Sequence, residues 1–199
     1  MIDLAKISQC LQTRLLFSER GDHDLNPELL CTDGPLRHAA VLMLLVEHDD
    51  GLRVLFTKRT ENLEHHPGQI SFPGGHIEPS DQDPVAAALR ETHEEVGIAP
   101  QHPQILGRLD TYITRTGFHI TPVVGTVRAP LNLCPDPREV DEVFEVPLAF
   151  LLDPANHHTH EREFQGAVRR FYAIPYEDYY IWGATAGMLM DLYQTLKPA

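Results

Sequence analysis

Apolar positions along this chain switch between two spacings, and the switches mark out its elements. In residues 2–17 the side chains of Leu4, Ile7, Leu11, Leu15 and Leu16 recur at helical spacing. Residues 21–37 are rich in Asp, Asn, Pro and Gly and read as a loop. Residues 38–47 form a run of Ala, Val, Leu and Met that predicts a buried strand, and Asp49-Asp50-Gly51 is a turn leading to a second strand over 53–58. A long polar loop continues to Gln69, and Ile70-Ser71-Phe72 reads as a short strand entering Pro73-Gly74-Gly75. Residues 83–96 are the clearest helix, with Asp83 suited to the N-cap, Pro84 to the first helical position and Gly97 to the C-terminal cap. Strands follow over 105–113 and 119–127. The pattern then predicts a short helix or two over 140–152 near Pro147, a strand over 169–174 and a closing helix over 182–196. This irregular alternation predicts a mixed sheet with helices packed on it.

The length of 199 residues fits one domain, or one domain with extensions. The longest apolar run, 39–46, is strand-sized, so no membrane span or membrane partner is expected. The first 19 residues lack the unbroken apolar core of a signal peptide. Cys10, Cys31 and Cys134 lie far apart and in no CxxC pair, which predicts reduced thiols in a cytoplasmic protein. The net charge of −13 repels nucleic-acid backbone and excludes it as a general partner. It also opposes any phosphorylated small molecule, so such a substrate requires local arginines or bound cations.

The chemistry concentrates in residues 74–98. On a wheel of about 100° per residue, Val85, Leu89, Thr92 and Val96 form one stripe that should face the core. Glu91, Glu94 and Glu95 share the opposite side, with Glu91 and Glu95 one turn apart. Clustered carboxylates repel one another, and a hard divalent cation reverses that penalty. The bland alternative is a solvated acidic face. Against it stand a Gly-Gly turn before the helix, Arg90 beside the first glutamate and Gly97 after the last.

With these neighbours the segment resembles the Nudix box, a glycine, five residues, a glutamate, seven residues, then R-E-U-x-E-E-x-G-U with U aliphatic. Gly75 matches the first glycine, and Arg90, Glu91, Glu94, Glu95, Gly97 and Ile98 match the second half in register. Asp81 stands where the first glutamate is expected, eight residues and not seven separate it from Arg90, and Thr92 replaces an aliphatic residue. The resemblance implies a Nudix-type α/β/α sandwich with a mixed sheet. It implies hydrolysis of a diphosphate bond with Mg²⁺ or Mn²⁺, metal held by Glu91 and Glu95 with help from Glu94 and the carbonyl of Gly75, and Arg90 tying down the loop through Asp81 or Glu78. The general base is left open among Glu94, Glu142, Glu145 or none.

Upstream, Leu55-Phe56-Thr57-Lys58-Arg59-Thr60, Gly68 and Phe72-Pro73-Gly74-Gly75 keep the spacing of the coenzyme A diphosphatase branch of that family, except that Glu64 stands where an arginine is expected. Segments 114–125, 142–148 and 181–186 are similar to bacterial members of this branch, so the resemblance runs from about 38 to 195. It implies residues 36–199 as the Nudix hydrolase domain, 1–35 as an N-terminal helix and loop extension, and coenzyme A as substrate. Arg59, Arg37 and Arg115 are the candidate substrate contacts, and a homodimer is left open. Glu64 keeps ADP-ribose or a nucleotide sugar in play. A non-catalytic metabolite sensor and an acidic interaction module are the alternatives of other classes. Outside this set, His119 reads as a satisfied sheet histidine, residues 157–160 as a solvated His-rich loop, and Trp182 as a core side chain before an adenine-stacking one.

Overall fold

The computed structural model describes residues 3–13, 18–27, 34–60, 68–164 and 166–197. A short helix α1 (Leu4–Gln12) and a three-residue strand β1 (Glu19–Gly21) lead into the long strands β2 (Arg37–His48) and β3 (Gly51–Arg59). Then come β4 (Ile70–Ser71), β5 (Gly74–His76), helix α2 (Pro84–Val96), β6 (Gln104–Arg108), β7 (Thr111–Ile113) and β8 (Phe118–Arg128). The chain continues through β9 (Val140–Pro147), the single-turn helix α3 (Leu148–Leu151), β10 (His158–Phe164), β11 (Ala167–Tyr176), β12 (Tyr179–Trp182) and the closing helix α4 (Gly183–Leu196).

The main sheet runs β1-β7-β8-β2-β3-β4, with β5 also paired to β2, β6 to β8 and β9 to β3. It is mixed: β2 lies parallel to β8 and antiparallel to β3. β2 shows why helices cover both faces. Leu42, Leu44 and Val46 join Ala87, Ala88 and Val96 of α2 in one apolar cluster. Met43 and Leu45, pointing the other way, join Ile7 and Leu11 of α1 and Leu189 and Leu192 of α4 in the larger one. The fold is therefore an α/β/α sandwich with α2 on one face and α1 and α4 on the other. A second, antiparallel sheet of β10, β11 and β12 precedes α4.

Two stretches differ from the pattern reading. Residues 140–152, predicted to carry a short helix or two near Pro147, hold strand β9 over 140–147 and a single-turn helix, α3, only after Pro147. The even positions Val140, Phe144 and Val146 are buried, but Glu142 interrupts the alternation. Its carboxylate is satisfied by the Tyr179 hydroxyl at 2.5 Å, so a strand tolerates it there. The His-rich segment, predicted as loop, enters β10 at His158 and pairs along β11. The predicted strand over 105–113 is two strands, and the glycine turn at 74–75 is itself part of β5. Residues 14–17, Cys31 and Glu64 lie outside the described residues.

Candidate active site

α2 is fixed at both ends by its own sequence. The Asp83 carboxylate accepts from the Ala86 N–H, and Gly97 ends the helix at φ 79°. Gly97 also packs so closely on Cys134 that a Cβ would approach it within 2.8 Å. Thr92 is buried, and its hydroxyl donates to the Ala88 carbonyl at 2.6 Å. A polar residue thus serves at an aliphatic position, because the helix itself supplies the acceptor.

Arg90 organises the loop before the helix. Its Nε and Nη2 donate to the two oxygens of Asp81, each at 3.0 Å, and Nη2 also donates to the His76 carbonyl. Nη1 donates to both Glu91 and Glu94 at 3.0 Å. Asp81 accepts a further bond from the Glu78 N–H at 2.8 Å. Its hydrogen bond with Arg90 holds the Asp81 carboxyl below its ordinary range. Asp81, at the position where the pattern has a glutamate and one residue further from the arginine, thus takes the guanidinium fork of Arg90.

The three glutamates occupy three environments. Glu94 is exposed, Glu91 half-buried, and Glu95 only 3% exposed. The wheel places all three away from the core, but Glu95 turns in against β5. Its Oε2 accepts from the Gly74 N–H at 3.2 Å, and its Oε1 lies 3.7 Å from Arg59 Nη1. Burial pushes Glu95 up to about 8; the Gly74 N–H and Arg59 pull it down, and the Glu91 and Glu139 carboxylates push it further up. Burial likewise raises Glu91, against its pairing with Arg90. Gly75 lies directly beneath Glu91, where a Cβ would come within 2.5 Å of the carboxyl carbon.

Glu139 is the acidic neighbour that sequence spacing missed. It follows a loop bonded to the end of α2, with the Cys134 N–H on the Val96 carbonyl and the Asp136 N–H on the Glu95 carbonyl. Glu139 bears on both Glu91 and Glu95 electrostatically. No periodicity could have signalled it, since a backbone contact across forty residues sets its place. Glu142 and Glu145, considered as bases, are held elsewhere, by Tyr179 and by His48 at 2.6 Å.

The three candidate arginines separate. Arg59, at the end of β3, joins the glutamates. Arg37 donates to the Thr116 carbonyl and lies over the Phe118 ring at 3.9 Å. Arg115 lines a separate cavity near α4. Trp182 is half-buried at that cavity's edge, its ring against Phe171 at 5.2 Å. His119 has a buried Nδ1 with no partner, so it is not the satisfied histidine expected. Cys10 and Cys134 are free thiols.

Among the described residues, no three His, Cys, Asp or Glu side chains converge into a complete metal cage. Arg90 draws Glu91 and Glu94 to itself. The donor chemistry nevertheless fits a hard divalent cation. Glu95 is a buried carboxylate whose one cationic contact among the described residues, Arg59, lies beyond hydrogen-bond length, and Gly75 leaves open the space that the Glu91 carboxyl occupies. No described helix is long and apolar enough to cross a membrane.

A mixed-sheet sandwich carrying a capped helix with this glutamate and arginine pattern defines a class, and sequence comparison agrees with it. The NUDIX domain model matches residues 36–183, and the chain belongs to the Nudix hydrolase family. The chain is 41% identical over 157 residues to the uncharacterized Nudix hydrolase NudL of Enterobacter sp. (strain 638), covering 78% of this chain and 81% of that protein. It is 38% identical over 161 residues to Nudix hydrolase 15, mitochondrial, of Arabidopsis thaliana, covering 77% of this chain and 56% of that protein. Among solved structures, a C. elegans Ap4A hydrolase binary complex overlaps 56% of this chain and 80% of its own at a TM-score of 0.49 and 20% identity. The protein is thus a Nudix hydrolase, an enzyme of a family that generally uses divalent cations and acts on nucleoside diphosphate derivatives.

Proposed function

We propose that this enzyme hydrolyses the diphosphate of coenzyme A, giving 3′-phosphoadenosine 5′-phosphate and 4′-phosphopantetheine. The observation that carries the reading is the juxtaposition of Arg59 and Glu95. The Leu55–Thr60 pattern covers the end of β3 and Phe72-Pro73-Gly74-Gly75 runs into β5, two strands that both pair with β2, and they set Arg59 and Gly74 against the buried carboxylate. In this reading residues 36–199 are the catalytic domain and 1–35 an extension.

Glu91 and Glu95, with Glu94 and the Gly75 carbonyl in support, would hold Mg²⁺ or Mn²⁺, which would supply positive charge against the diphosphate and make the attacking water easier to deprotonate. Arg59 orients a phosphate oxygen from the far side of Glu95. Arg90 positions Glu91 and Glu94 and touches no substrate. Glu139, exposed and beside both inner glutamates, is the free carboxylate best placed to take the proton of the attacking water, ahead of Glu142 and Glu145.

Glu64, in place of an arginine, favours a second reading, a diphosphatase for ADP-ribose or a nucleotide sugar. Incubation with coenzyme A, ADP-ribose and a nucleotide sugar, each with Mg²⁺ or Mn²⁺ and with product identification, separates the two. The proposal expects the bisphosphate product from coenzyme A and faster turnover of it. Faster cleavage of ADP-ribose would assign the second reading. Nucleotide binding with no product from any substrate would leave a sensor.

A further inference from the structure

The net charge is −13, yet four of the chain's 16 lysines and arginines line one cavity of about 340 Å³ at the start of α4. They are Arg115, Arg162, Arg169 and Arg170. Arg162 and Arg169 sit directly opposite each other in the β10–β11 ladder. Like charges in that register repel. The next pair along resolves its charge internally, Arg170 donating to Glu161 at 2.8 Å. Arg162 and Arg169 meet no carboxylate among the described residues. Moreover, Arg169 Nε and Nη1 are buried with no hydrogen-bond partner. Guanidinium donors buried without an acceptor are destabilising unless one reaches them, and the planar fork that carries them matches a phosphate.

The other walls suit a nucleotide. Trp182 and Phe171 supply aromatic surface, and stacking on such surface is sequence-tolerant. Gly183, Ala184 and Thr185 bring the first turn of the 14-residue helix α4 to the same space. Trp182 provides no side-chain cap for that turn, and the Thr185 hydroxyl donates away to the Ile70 carbonyl. Its N–H groups add to the pull on an anion. Asp22, the one carboxylate among the described residues of the wall, already accepts from the Tyr112 hydroxyl at 2.9 Å and the Arg115 N–H at 2.8 Å.

The cavity is also within reach of the glutamates. Ile70 lines it, and four residues later Gly74 donates to Glu95. Four residues of extended chain span at most about 14 Å. A nucleotide with its diphosphate can bridge that gap.

Resting on the coenzyme A reading, we infer that this cavity binds the phosphorylated adenosine end of the substrate, with the ribose phosphate on Arg162 and Arg169 and the base against Trp182. The arginines then supply the charge that Glu64 does not. A nucleoside diphosphate without the extra phosphate leaves Arg169 unpaired, so the cavity selects for a bisphosphorylated nucleoside.

Trp182 is the chain's only tryptophan, so its emission reports on the cavity without catalysis. Adenosine 3′,5′-bisphosphate and AMP are titrated into the metal-free full chain, wild type, Arg169→Gln and Arg162→Gln. Arg162 is exposed, so its variant probes charge with little risk to folding. The expected result is saturable quenching by the bisphosphate at least tenfold tighter than by AMP, and a tenfold or greater loss in each variant. No quenching, or equal affinities across wild type and both variants, overturns the assignment. Coenzyme A turnover measured alongside separates the two ideas. Bisphosphate binding without coenzyme A hydrolysis keeps the cavity and removes the substrate. Coenzyme A hydrolysis at unchanged KM in both variants keeps the substrate and removes the cavity.

Discussion

The glutamate cluster on α2 and the arginine cavity beside α4 are both out of electrical balance, in opposite senses. At Glu95 the chain buries a carboxylate whose one ion pair among the described residues, with Arg59, is 3.7 Å long. At Arg169 it buries two guanidinium nitrogens that find no hydrogen-bond partner among the described residues. Either arrangement alone is an unfavourable way to fold a domain. Together they are complementary to a cation and a phosphorylated molecule, which balance both at once. They also differ in construction. One contiguous segment with an internal restraint, Arg90, supplies the three glutamates of the acidic centre, which Glu139 and Arg59 join from outside it. Six separated stretches of chain meet to form the basic cavity.

The sharpest way to break this contrast is to neutralise Glu95. Glu95→Gln is expected to lower diphosphate hydrolysis by roughly a hundredfold or more, while stabilising the metal-free protein. The sign follows from the raised value. A carboxyl that titrates near 8 when folded, against an ordinary 4.5, favours the fold fully at low pH and loses that contribution as pH rises through 8. Thermal melts in a chelator should show the variant more stable by roughly 3 kcal/mol at pH 9 and indistinguishable at pH 4. A variant less stable than wild type at pH 9 would mean that the Glu95 charge is already compensated.

Removing the restraint comes next. Arg90→Lys keeps the charge but not the fork to Asp81, so activity should fall about tenfold to a hundredfold. Stability should fall by only about 1–2 kcal/mol, since the guanidinium is partly solvent-exposed. Steady-state kinetics with a denaturant melt test this, and full activity in the lysine variant contradicts the restraint role.

Gly75→Ala sharpens the picture further. The added methyl meets the movable end of Glu91, not backbone. Turnover should drop about tenfold with the melting temperature nearly unchanged. An equal loss of both would place the constraint in the fold. The smallest effect is expected from Thr92→Val, which restores an aliphatic residue and removes only a bond internal to the helix. Stability should stay within about 1 kcal/mol and activity unchanged.

What the sequence made legible follows the same division. α2 was readable to the residue because its caps, Asp83 and Gly97, and its carboxylate spacing are all local. β2 was readable as an uninterrupted apolar run over 39–46, and β3 from the Asp49-Asp50-Gly51 turn and the Val54-Leu55-Phe56 core that follows it. The loop-to-helix tie through Arg90 was readable in kind, and the structure selects Asp81 over Glu78 for it. The second sheet was not. β10 is almost wholly polar, and β11 joins β12 through Glu177-Asp178, where Glu177 takes φ 51° without the Asn or Gly that would announce a tight turn. β9 was misread because Glu142 occupies an inward position whose partner, Tyr179, lies far along the chain. The burial of Glu95, the approach of Glu139 and the opposition of Arg162 and Arg169 all depend on tertiary register, which no local spacing encodes.

The most direct test of the acidic centre is equilibrium binding of Mn²⁺ to the wild-type chain and to Glu95→Gln, followed by calorimetry with no substrate present. The account predicts saturable binding in the wild type that weakens at least about tenfold in the variant. Equal binding in both would contradict it and place the cation elsewhere.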